Sequence, residues 1–405
     1  MTAPVRPMGS AETLDVFLVA GEESGDRLGA ALMRALRERT GGKVRFAGVG
    51  GRAMAAEGIA SLYAIDDLAI IGFAAIPRRI PRILRLIRST AAAVVARRPH
   101  VLVIIDSPAF TCRVAKRVRA ADPAIAIVEY VSPSVWAWRP GRARAIKGYI
   151  DHILALLPFE PAAHQRLGGP PCTYVGHPLA EEVHDLRPNA EEARRRLACP
   201  PILLVLPGSR LGELRRMLAD FAATVALIRE RIGPLEVIVP TVPHLVDPIA
   251  SATAQWPVPA RIVVETMERR AAMRVARAAL TKSGTVTLEL ALAGVPSVAA
   301  YRIAALEGLI FRAVRRMHPV IKVRSVILTN LVLGEWAIPE FVQSQCMAEN
   351  LAAALIDILG DTPSRARQIE AFKRLETIMG ASGVGPSKRA AQAVLDLLER
   401  RSAIT

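Results

Sequence analysis

The fold is decided by the stretch Ala278-Ala279-Leu280-Thr281-Lys282-Ser283-Gly284-Thr285, which continues as Val286-Thr287-Leu288-Glu289 and closes at Gly294-Val295-Pro296. It reads as a short buried strand, a Ser-Gly-Thr turn and the first turns of a helix. Free N–H groups at a helix start bind phosphate oxygens, and Glu289 shares a helix face with Thr285, from which it can hydrogen-bond a ribose diol. The pattern therefore suits a sugar nucleotide. The alternative is a plain helix cap with an acid that is favourably placed against the helix dipole.

Similar apolar strands recur along the chain in two series, separated by helical patterns. Val101–Ile105 is typical of the first series and Ile202–Leu206 of the second. Strands that are apolar throughout, with helices between them, indicate a parallel sheet covered on both faces. We therefore predict an α/β protein with two doubly wound, Rossmann-like domains facing a central cleft, where ligands bind at the carboxyl ends of strands. The predicted domains span residues 1–180 and 198–384, and a last helix at about 385–405 packs back on the first.

The composition narrows the class of partner. The chain has 405 residues, 52% of them apolar, and a formal net charge of +16. Such a charge indicates an anionic partner: nucleic acid, anionic lipid or a phosphorylated substrate. Aromatic residues make up only 4% of the chain, and no basic segment is interleaved with several Phe or Tyr residues, so a nucleic-acid partner is disfavoured.

The cysteines indicate a reducing compartment and no metal framework. Cys112, Cys172, Cys199 and Cys346 are scattered and form no C-x-x-C pair, so neither a zinc site nor a disulfide framework is predicted. The N-terminal apolar run is too short for a signal-peptide core, and no run reaches the length of a spanning helix. We expect a cytoplasmic protein whose membrane contact is peripheral, with no cofactor.

A second phosphate-binding candidate lies directly after the first strand of the second series, in Pro207-Gly208-Ser209-Arg210. Gly208 permits close backbone approach, Ser209 offers a hydroxyl, and the Arg210 guanidinium can bind two phosphate oxygens. An ordinary strand-to-helix turn with a solvated arginine is the alternative. Together with the Ser283 turn, it favours a diphosphate site.

The first half carries acids at the corresponding places. Its first turn, Gly21-Glu22-Glu23-Ser24-Gly25-Asp26, repels free phosphate and suits sugar hydroxyls, with Glu22, Ser24, Gly25 and Asp26 as candidate acceptor-binding residues; a cap made by Ser24 or Asp26 is the alternative. Asp106 ends the strand Val101–Ile105 and is a candidate general base, although an Asp there is also a routine turn former. His177 is a second candidate base.

Two further segments attract attention. Gly48-Val49-Gly50-Gly51-Arg52-Ala53 fits the dinucleotide pattern G-x-G-x-x-A, with Asp66 and Asp67 near the spacing of a ribose-binding acid, but it follows the second strand and not the first.

Residues 68–105 contain seven arginines and no acid. In this region an apolar helix side and a basic helix side predict contact with an anionic bilayer, or else a surface helix with a basic outer face. The predicted contact residues are Ile80, Arg82, Ile83, Leu84, Arg85, Ile87 and Arg88; Arg79 continues the basic side.

The combined motifs resemble the lipid-A-disaccharide synthases, a family of inverting glycosyltransferases. The resemblance covers nearly the whole chain, and its most specific part is the run Val131-Ser132-Pro133-Ser134-Val135-Trp136-Ala137-Trp138. The other matching segments are residues 19–26, 157–160, 206–210 and 283–285, with Glu289.

The resemblance implies a glycosyltransferase B-type fold and transfer of 2,3-diacylglucosamine from UDP to 2,3-diacylglucosamine 1-phosphate, giving a β-1,6 disaccharide at the cytoplasmic face of the inner membrane. It implies that Asp106 is the general base, that Arg210 and residues 283–285 hold the diphosphate, that Glu289 holds ribose, and that Asn330 lies near the sugar nucleotide. The chain departs from the family pattern at Ala109, where relatives carry an acid, and at Leu328-Thr329, where Leu-Pro is usual.

The chemistry of the reaction agrees with this resemblance. Inversion needs in-line attack, a base and charge stabilisation on the leaving diphosphate. The chain contains no Asp-x-Asp pair for a metal–diphosphate complex, so we predict activity without a divalent metal.

Other readings share parts of this pattern. A UDP-sugar epimerase or a soluble UDP-sugar transferase would share the second half but leave the basic helix unexplained. An NAD-dependent oxidoreductase would rest on Gly48–Ala53 alone.

Overall fold

The structure, a computed structural model, describes residues 13–68, 76–137, 139–302, 325–380 and 383–403. Residues 69–75 of the predicted membrane segment and Trp138 of the tryptophan-rich run lie outside this part of the chain. The side chains of residues 76–79, which include Arg79, are not described either. The chain divides into an N-terminal unit, Met1–Pro178 with Gly383–Thr405, and a C-terminal unit, Leu179–Ser382.

The N-terminal unit contains a parallel sheet of six strands in the order β2-β1-β3-β4-β5-β6. The strands are β1 Leu14–Ala20, β2 Val44–Val49, β3 Val101–Ile105, β4 Ala126–Tyr130, β5 His152–Ala155 and β6 Cys172–Tyr174. The helices are α1 Glu23–Arg39, α2 Arg52–Ala56, α3 Ile76–Arg97, α4 Thr111–Ala121, α5 Arg142–Lys147 and α6 Glu160–Leu167, with the C-terminal α16 Pro386–Ser402.

Both faces of this sheet are covered, which explains why its strands are apolar throughout. In β1, Val16 and Leu18 belong to the core on the side of α1 and α16, whereas Phe17 and Val19 belong to the core on the side of α3 and α4. Alternate side chains of one strand thus enter different cores, as parallel sheets require.

The C-terminal helix α16 packs on α1 within the N-terminal unit. Val394 is fully buried in the same core as Leu32. The Arg389 Nε atom donates a hydrogen bond to the Val175 carbonyl at 2.7 Å. The end of the chain therefore completes the core of the first sheet.

The C-terminal unit repeats the architecture with the strand order β12-β11-β10-β7-β8-β9, again parallel. Its strands are β7 Ile202–Leu206, β8 Glu236–Pro240, β9 Ala260–Val263, β10 Ala278–Lys282, β11 Ser297–Tyr301 and β12 Glu340–Val342. Its described helices are α7 Val183–Leu186, α8 Ala190–Leu197, α9 Leu211–Ile232, α10 Val246–Thr253, α11 Thr266–Val275, α12 Val286–Leu292, α13 Leu328–Leu333, α14 Ala348–Leu359 and α15 Pro363–Met379. The prediction of two doubly wound parallel sheets is confirmed.

None of the helices in the described ranges combines the length and the apolar character that crossing a bilayer requires.

Candidate active site

Each sheet reverses its strand order at one position. In the N-terminal unit, β2 and β3 lie on opposite sides of β1; in the C-terminal unit, β8 and β10 lie on opposite sides of β7. Ligands of open parallel sheets bind at the carboxyl ends of strands beside such a reversal. The topology therefore selects the turns after β1 and β3 in one unit, and those after β7 and β10 in the other. These four turns carry most of the candidate residues that the sequence indicated.

In the N-terminal unit the two selected turns are in direct contact. A Cβ atom at Gly21 would lie 2.3 Å from the Cβ of Ser107, so only glycine allows the first turn to approach the turn that follows β3. Glu22 and Ser24, both exposed, belong to the first turn. The structure thus groups these predicted acceptor residues with the Asp106 turn, although 80 or more positions separate them in the chain.

Asp106 stands on an unusual backbone. Its φ angle is +51° and that of Ser107 is +46°, so two successive non-glycine residues adopt the left-handed conformation. Each such residue costs about 1–3 kcal/mol and persists only where its surroundings enforce it, which is common at functional sites. Here the Ser107 N–H donates to Asp106 Oδ1 at 2.7 Å, and the Thr111 hydroxyl donates to the Asp106 carbonyl at 2.7 Å. These bonds hold the half-buried carboxylate at the end of β3.

Asp26, which we predicted to bind the acceptor, instead has a structural role. It is 3% exposed, and its carboxylate accepts hydrogen bonds from the N–H groups of Gly51 at 2.7 Å, Ala53 at 2.8 Å and Met54 at 3.1 Å. These N–H groups form the start of α2, whose own N-cap residue is the glycine at 51. The G-x-G-x-x-A turn therefore has its N–H groups bound to a carboxylate of its own unit, which argues against the dinucleotide reading. Gly25 is buried against the Ile105 carbonyl, 3.3 Å from where its Cβ would lie, so its role is close packing.

The tryptophan-rich run begins on a strained residue and is fixed by buried polar contacts. Val131 has a φ angle of +79°, which a β-branched residue rarely adopts. The Ser132 Oγ lies 2.9 Å from Nε2 of buried His164, and the Trp136 indole N–H donates to Glu160 Oε1 at 3.2 Å. Burial raises the pKa of Glu160 to about 7. The run is thus anchored to α6 by side chains that the sequence alone did not connect.

Glu129, on β4, is an acid that sequence reasoning missed. It is 3% exposed; the Cys112 thiol donates to its Oε1 at 3.5 Å, while its buried Oε2 has no hydrogen-bond partner among the described residues. Burial raises the pKa of Glu129 to about 7. The signal was an acid inside an otherwise apolar strand, two residues before Val131, where the run that resembles the family begins.

In the C-terminal unit the turn after β7 is built on Gly208, whose φ angle is +116°. A Cβ atom at this position would lie 2.4 Å from Oε2 of Glu213, which also accepts a hydrogen bond from the Ser209 N–H at 3.2 Å. Arg210 follows with 82% of its side chain exposed, 3.5 Å from Glu213. The turn therefore presents a guanidinium group to solvent, as a diphosphate ligand requires.

Lys282 is a second cation at this edge of the sheet, and we did not predict it as a site residue. Its Nζ donates to Glu213 Oε1 at 2.8 Å and lies 5.1 Å from the Tyr301 ring centre. Although burial acts to raise it, the bond from Lys282 holds the pKa of Glu213 below its usual value. Glu213 thereby joins the turn after β7 to the end of β10. The sequence feature that could have indicated Lys282 is its position directly before the Ser-Gly-Thr turn.

The Ser283 turn is anchored on one side and open on the other. The Ser283 hydroxyl donates to the Val326 carbonyl, whereas, apart from its two chain neighbours, no atom of the described residues lies within 4 Å of where a Cβ of Gly284 would be. Thr285 is exposed and its side chain makes no cap hydrogen bond to α12, contrary to the alternative of a plain helix cap. Glu289 is half-buried, and burial raises its pKa although the nearby Arg269 acts to lower it.

Asn330 is an internal group and not an exposed one. It is 3% exposed; its Nδ2 donates to the Ile338 carbonyl at 2.8 Å and its Oδ1 accepts from the Ile338 N–H at 2.9 Å. Its amide holds a loop closed, so we do not place it in the donor site.

His177 was the second candidate base. Burial lowers the pKa of His177 to about 4, which leaves it neutral and a weak base at neutral pH.

Most but not all of the residues predicted to contact the membrane are exposed on helix α3. Ile80 is 45% and Leu84 36% exposed, and Arg85 and Arg88 are exposed. Ile83 is half-buried, and Arg82 is exposed but paired with Asp67 at 2.6 Å. Ile87 is fully buried, so its prediction as a membrane contact is wrong: it faces the core of its own unit.

Comparison with solved structures shows the class of fold. The fold matches UDP-GlcNAc 2-epimerase from Neisseria meningitidis bound to UDP-GlcNAc, with a TM-score of 0.62 and 11% identity, over 95% of this chain and 100% of that chain. It also matches the glycosyltransferase of kitacinnamycin, with a TM-score of 0.62 and 17% identity, over 98% of this chain and 100% of that one. The chain has the glycosyltransferase B-type fold, as predicted.

Sequence comparison then shows the family. The Lipid-A-disaccharide synthetase family model matches residues 16–394. Lipid-A-disaccharide synthases from Nitrobacter hamburgensis and Nitrobacter winogradskyi are 58% and 57% identical, covering 95% and 96% of this chain and the same shares of their own lengths. The chain belongs to the lipid-A-disaccharide synthase family. It is a disaccharide-forming glycosyltransferase with a UDP-sugar donor, and these predictions are confirmed.

Proposed function

We propose that the protein transfers 2,3-diacylglucosamine from UDP-2,3-diacylglucosamine to the 6-hydroxyl of 2,3-diacylglucosamine 1-phosphate, with inversion, releasing UDP. The observation that carries the proposal is the Asp106 carboxylate, held on left-handed backbone at the end of β3 where the strand order reverses. A carboxylate fixed in this way accepts the proton of the attacking hydroxyl. Glu22 and Ser24, in the turn that contacts Ser107, hydrogen-bond the acceptor sugar.

The donor diphosphate binds the turns after β7 and β10. Arg210 offers an exposed guanidinium to two phosphate oxygens, and the Ser209 hydroxyl and the backbone of Gly208 and residues 283–285 approach them closely. Charge that develops on the leaving UDP is then stabilised by fixed donors. Glu289 hydrogen-bonds the ribose hydroxyls. We propose that these groups act without a divalent metal.

The acceptor is a membrane lipid, and α3 brings the protein to it. Exposed Ile80 and Leu84 insert among lipid chains while Arg85 and Arg88 contact anionic headgroups on the cytoplasmic face of the inner membrane. Flotation with anionic liposomes tests this contact. Binding that is equal for neutral and anionic vesicles would contradict it.

The reaction is tested by mass-spectrometric product analysis with the two proposed substrates. Asp106→Asn is the informative variant because Asn tolerates the left-handed backbone and keeps an oxygen for the Ser107 N–H bond. We expect kcat to fall by about 10²–10⁴ with little change in KM. The matched control is Glu230→Gln, the same chemical change at an exposed acid of α9. Near-normal turnover of Asp106→Asn would remove the base assignment.

A further inference from the structure

A cavity of about 350 Å³ lies within the N-terminal unit, between α3 and the turn that begins α4. Ile80, Leu84 and Ile87 of α3 form one wall. Phe110 and the Ala109 methyl group form part of the other. Cavities of this size with mostly apolar walls are typical of small-molecule sites.

The walls indicate an occupant with an apolar body and an anionic end. Ile80 and Leu84 keep 45% and 36% of their surface exposed, which an apolar ligand would cover. The charged residue that lines the cavity is Arg113, and none of the described lining residues is acidic. The Arg113 guanidinium is held by a hydrogen bond from its Nη1 to the Ala109 carbonyl. A cation thus stands beside an apolar hollow.

The cavity is continuous with the candidate catalytic turn, because Ser107 belongs to its lining and directly follows Asp106. A ligand whose reacting hydroxyl lies at Asp106 would therefore have its nearest apolar substituent at the mouth of this cavity. The concave shape fits a single chain, whereas a bilayer contacts a convex or flat face.

We propose that this cavity binds one acyl chain of the acceptor, drawn out of the bilayer while the 6-hydroxyl reacts. The inference rests on the proposed function, since it takes the acceptor to be an acylated glucosamine phosphate. It assigns α3 a second role, because Ile80 and Leu84, which are exposed and contact the membrane, also line the chain subsite together with Ile87. The small Ala109 side chain then serves the subsite by keeping it apolar and open.

The subsite predicts a dependence of acceptor binding on chain length. Each methylene group withdrawn from water strengthens binding by about fourfold. For acceptor supplied as monomers in water, shortening the acyl chain by two carbons within the length that the cavity accommodates should raise the acceptor KM of the wild-type protein by about 10- to 20-fold. The donor KM should not change.

Two variants on opposite walls test the proposal. Ala109→Phe fills the cavity from the α4 side, and Leu84→Ser makes the α3 wall polar; Leu197→Ser, at a leucine that is 67% exposed in the C-terminal unit, is the matched control. Thermal unfolding checks that each variant folds. We expect both wall variants to bind long-chain acceptor at least 10-fold more weakly and to lose chain-length discrimination, while the control behaves as wild type.

Two measurements separate this inference from the proposed function. Equilibrium binding of a fluorescent acylated glucosamine 1-phosphate, without donor, measures the affinity that the subsite contributes even if no disaccharide forms. Liposome flotation reads membrane contact, which Ala109→Phe should leave unchanged. Wild-type chain-length dependence in both wall variants would overturn the subsite, as would a loss that parallels flotation and disappears in detergent. Absence of disaccharide from wild-type protein would overturn the proposed function alone.

Discussion

The structural assignment of Asp26 can be tested by replacing it with alanine. In the structure its carboxylate binds three backbone N–H groups of the turn that starts α2. Removal leaves these donors without their acceptor, while the exposed neighbours Glu22 and Ser24 remain in place. The sequence had placed all three residues together in an acceptor site, so the variant separates a structural acid from the proposed ligand-binding ones.

The expected destabilisation follows from the burial of each bond. The Met54 N–H is buried, and leaving it without a partner costs about 1–3 kcal/mol. The bonds from Gly51 and Ala53 are only partly buried, so water replaces the acceptor and each contributes a net loss of about 0.5–1.5 kcal/mol. The free energy of unfolding should therefore fall by about 2–6 kcal/mol, which for a unit of this size lowers Tm by about 4–24 °C.

The assay combines calorimetry, hydrogen exchange and kinetics. We expect a lower Tm for the N-terminal unit and faster amide exchange at Gly51, Ala53 and Met54, with acceptor KM within about twofold of wild type at a temperature where the variant is folded. The matched control is Ser24→Ala in the same turn, which should keep Tm and raise the acceptor KM. An unchanged Tm for Asp26→Ala together with a large rise in acceptor KM would refute the reasoning and return Asp26 to the acceptor site.

Four further predictions concern the other site groups. Burial holds the pKa of Glu129 at about 7, above its unfolded value of about 4.5, so the contribution of the protonated side chain to stability is present at pH 4.5 and is lost as the pH rises through 7. Glu129→Gln should therefore raise the Tm relative to wild type at pH 8 and not at pH 5. Equal shifts of Tm at both pH values would contradict this reasoning. Arg210→Ala should raise the Kd for UDP by about 10- to 150-fold, measured by calorimetry. Glu289→Ala should also weaken UDP binding while Tm is kept, and unchanged affinity would remove its ribose role. Turnover should survive EDTA; loss that magnesium or manganese restores would contradict the metal-independent proposal.

The sheets were predictable because a parallel strand that is buried on both faces is apolar at every position. Val101–Ile105 is apolar at every position, and the structure buries all five side chains between two layers of helices. The strand order was not predicted, because it depends on which strands pair. That order matters for function: it brings Gly21 against Ser107, and no local pattern near either residue indicates the partner.

The sequence did not reveal which polar side chains have partners outside their own helix or turn. Asp26 was predicted as an acceptor-binding residue, with a helix cap as the alternative, but the N–H groups that its carboxylate binds lie 25–28 residues away. Asn330 shows the same limit, because its amide is used by Ile338 in a loop that the sequence does not define. Ile87 failed for a different reason. The apolar side of α3 is divided between core and surface by its packing, and helical periodicity does not distinguish the two.

The two units carry opposite charge beside the reversal of strand order. In the N-terminal unit Asp106 follows β3; in the C-terminal unit Arg210 follows β7, and Lys282 ends β10, the strand that corresponds to β3. Glu213 does not cancel this positive character, because it is buried and bound to Lys282 and to the Ser209 N–H, whereas Arg210 is exposed. An acid suits a hydroxyl that must lose a proton, and cations suit a diphosphate that gains charge as it leaves. The difference in charge between two similar sheets is thus what inverting transfer from a UDP-sugar requires, and it explains why loss of Asp106 should affect kcat and loss of Arg210 donor binding.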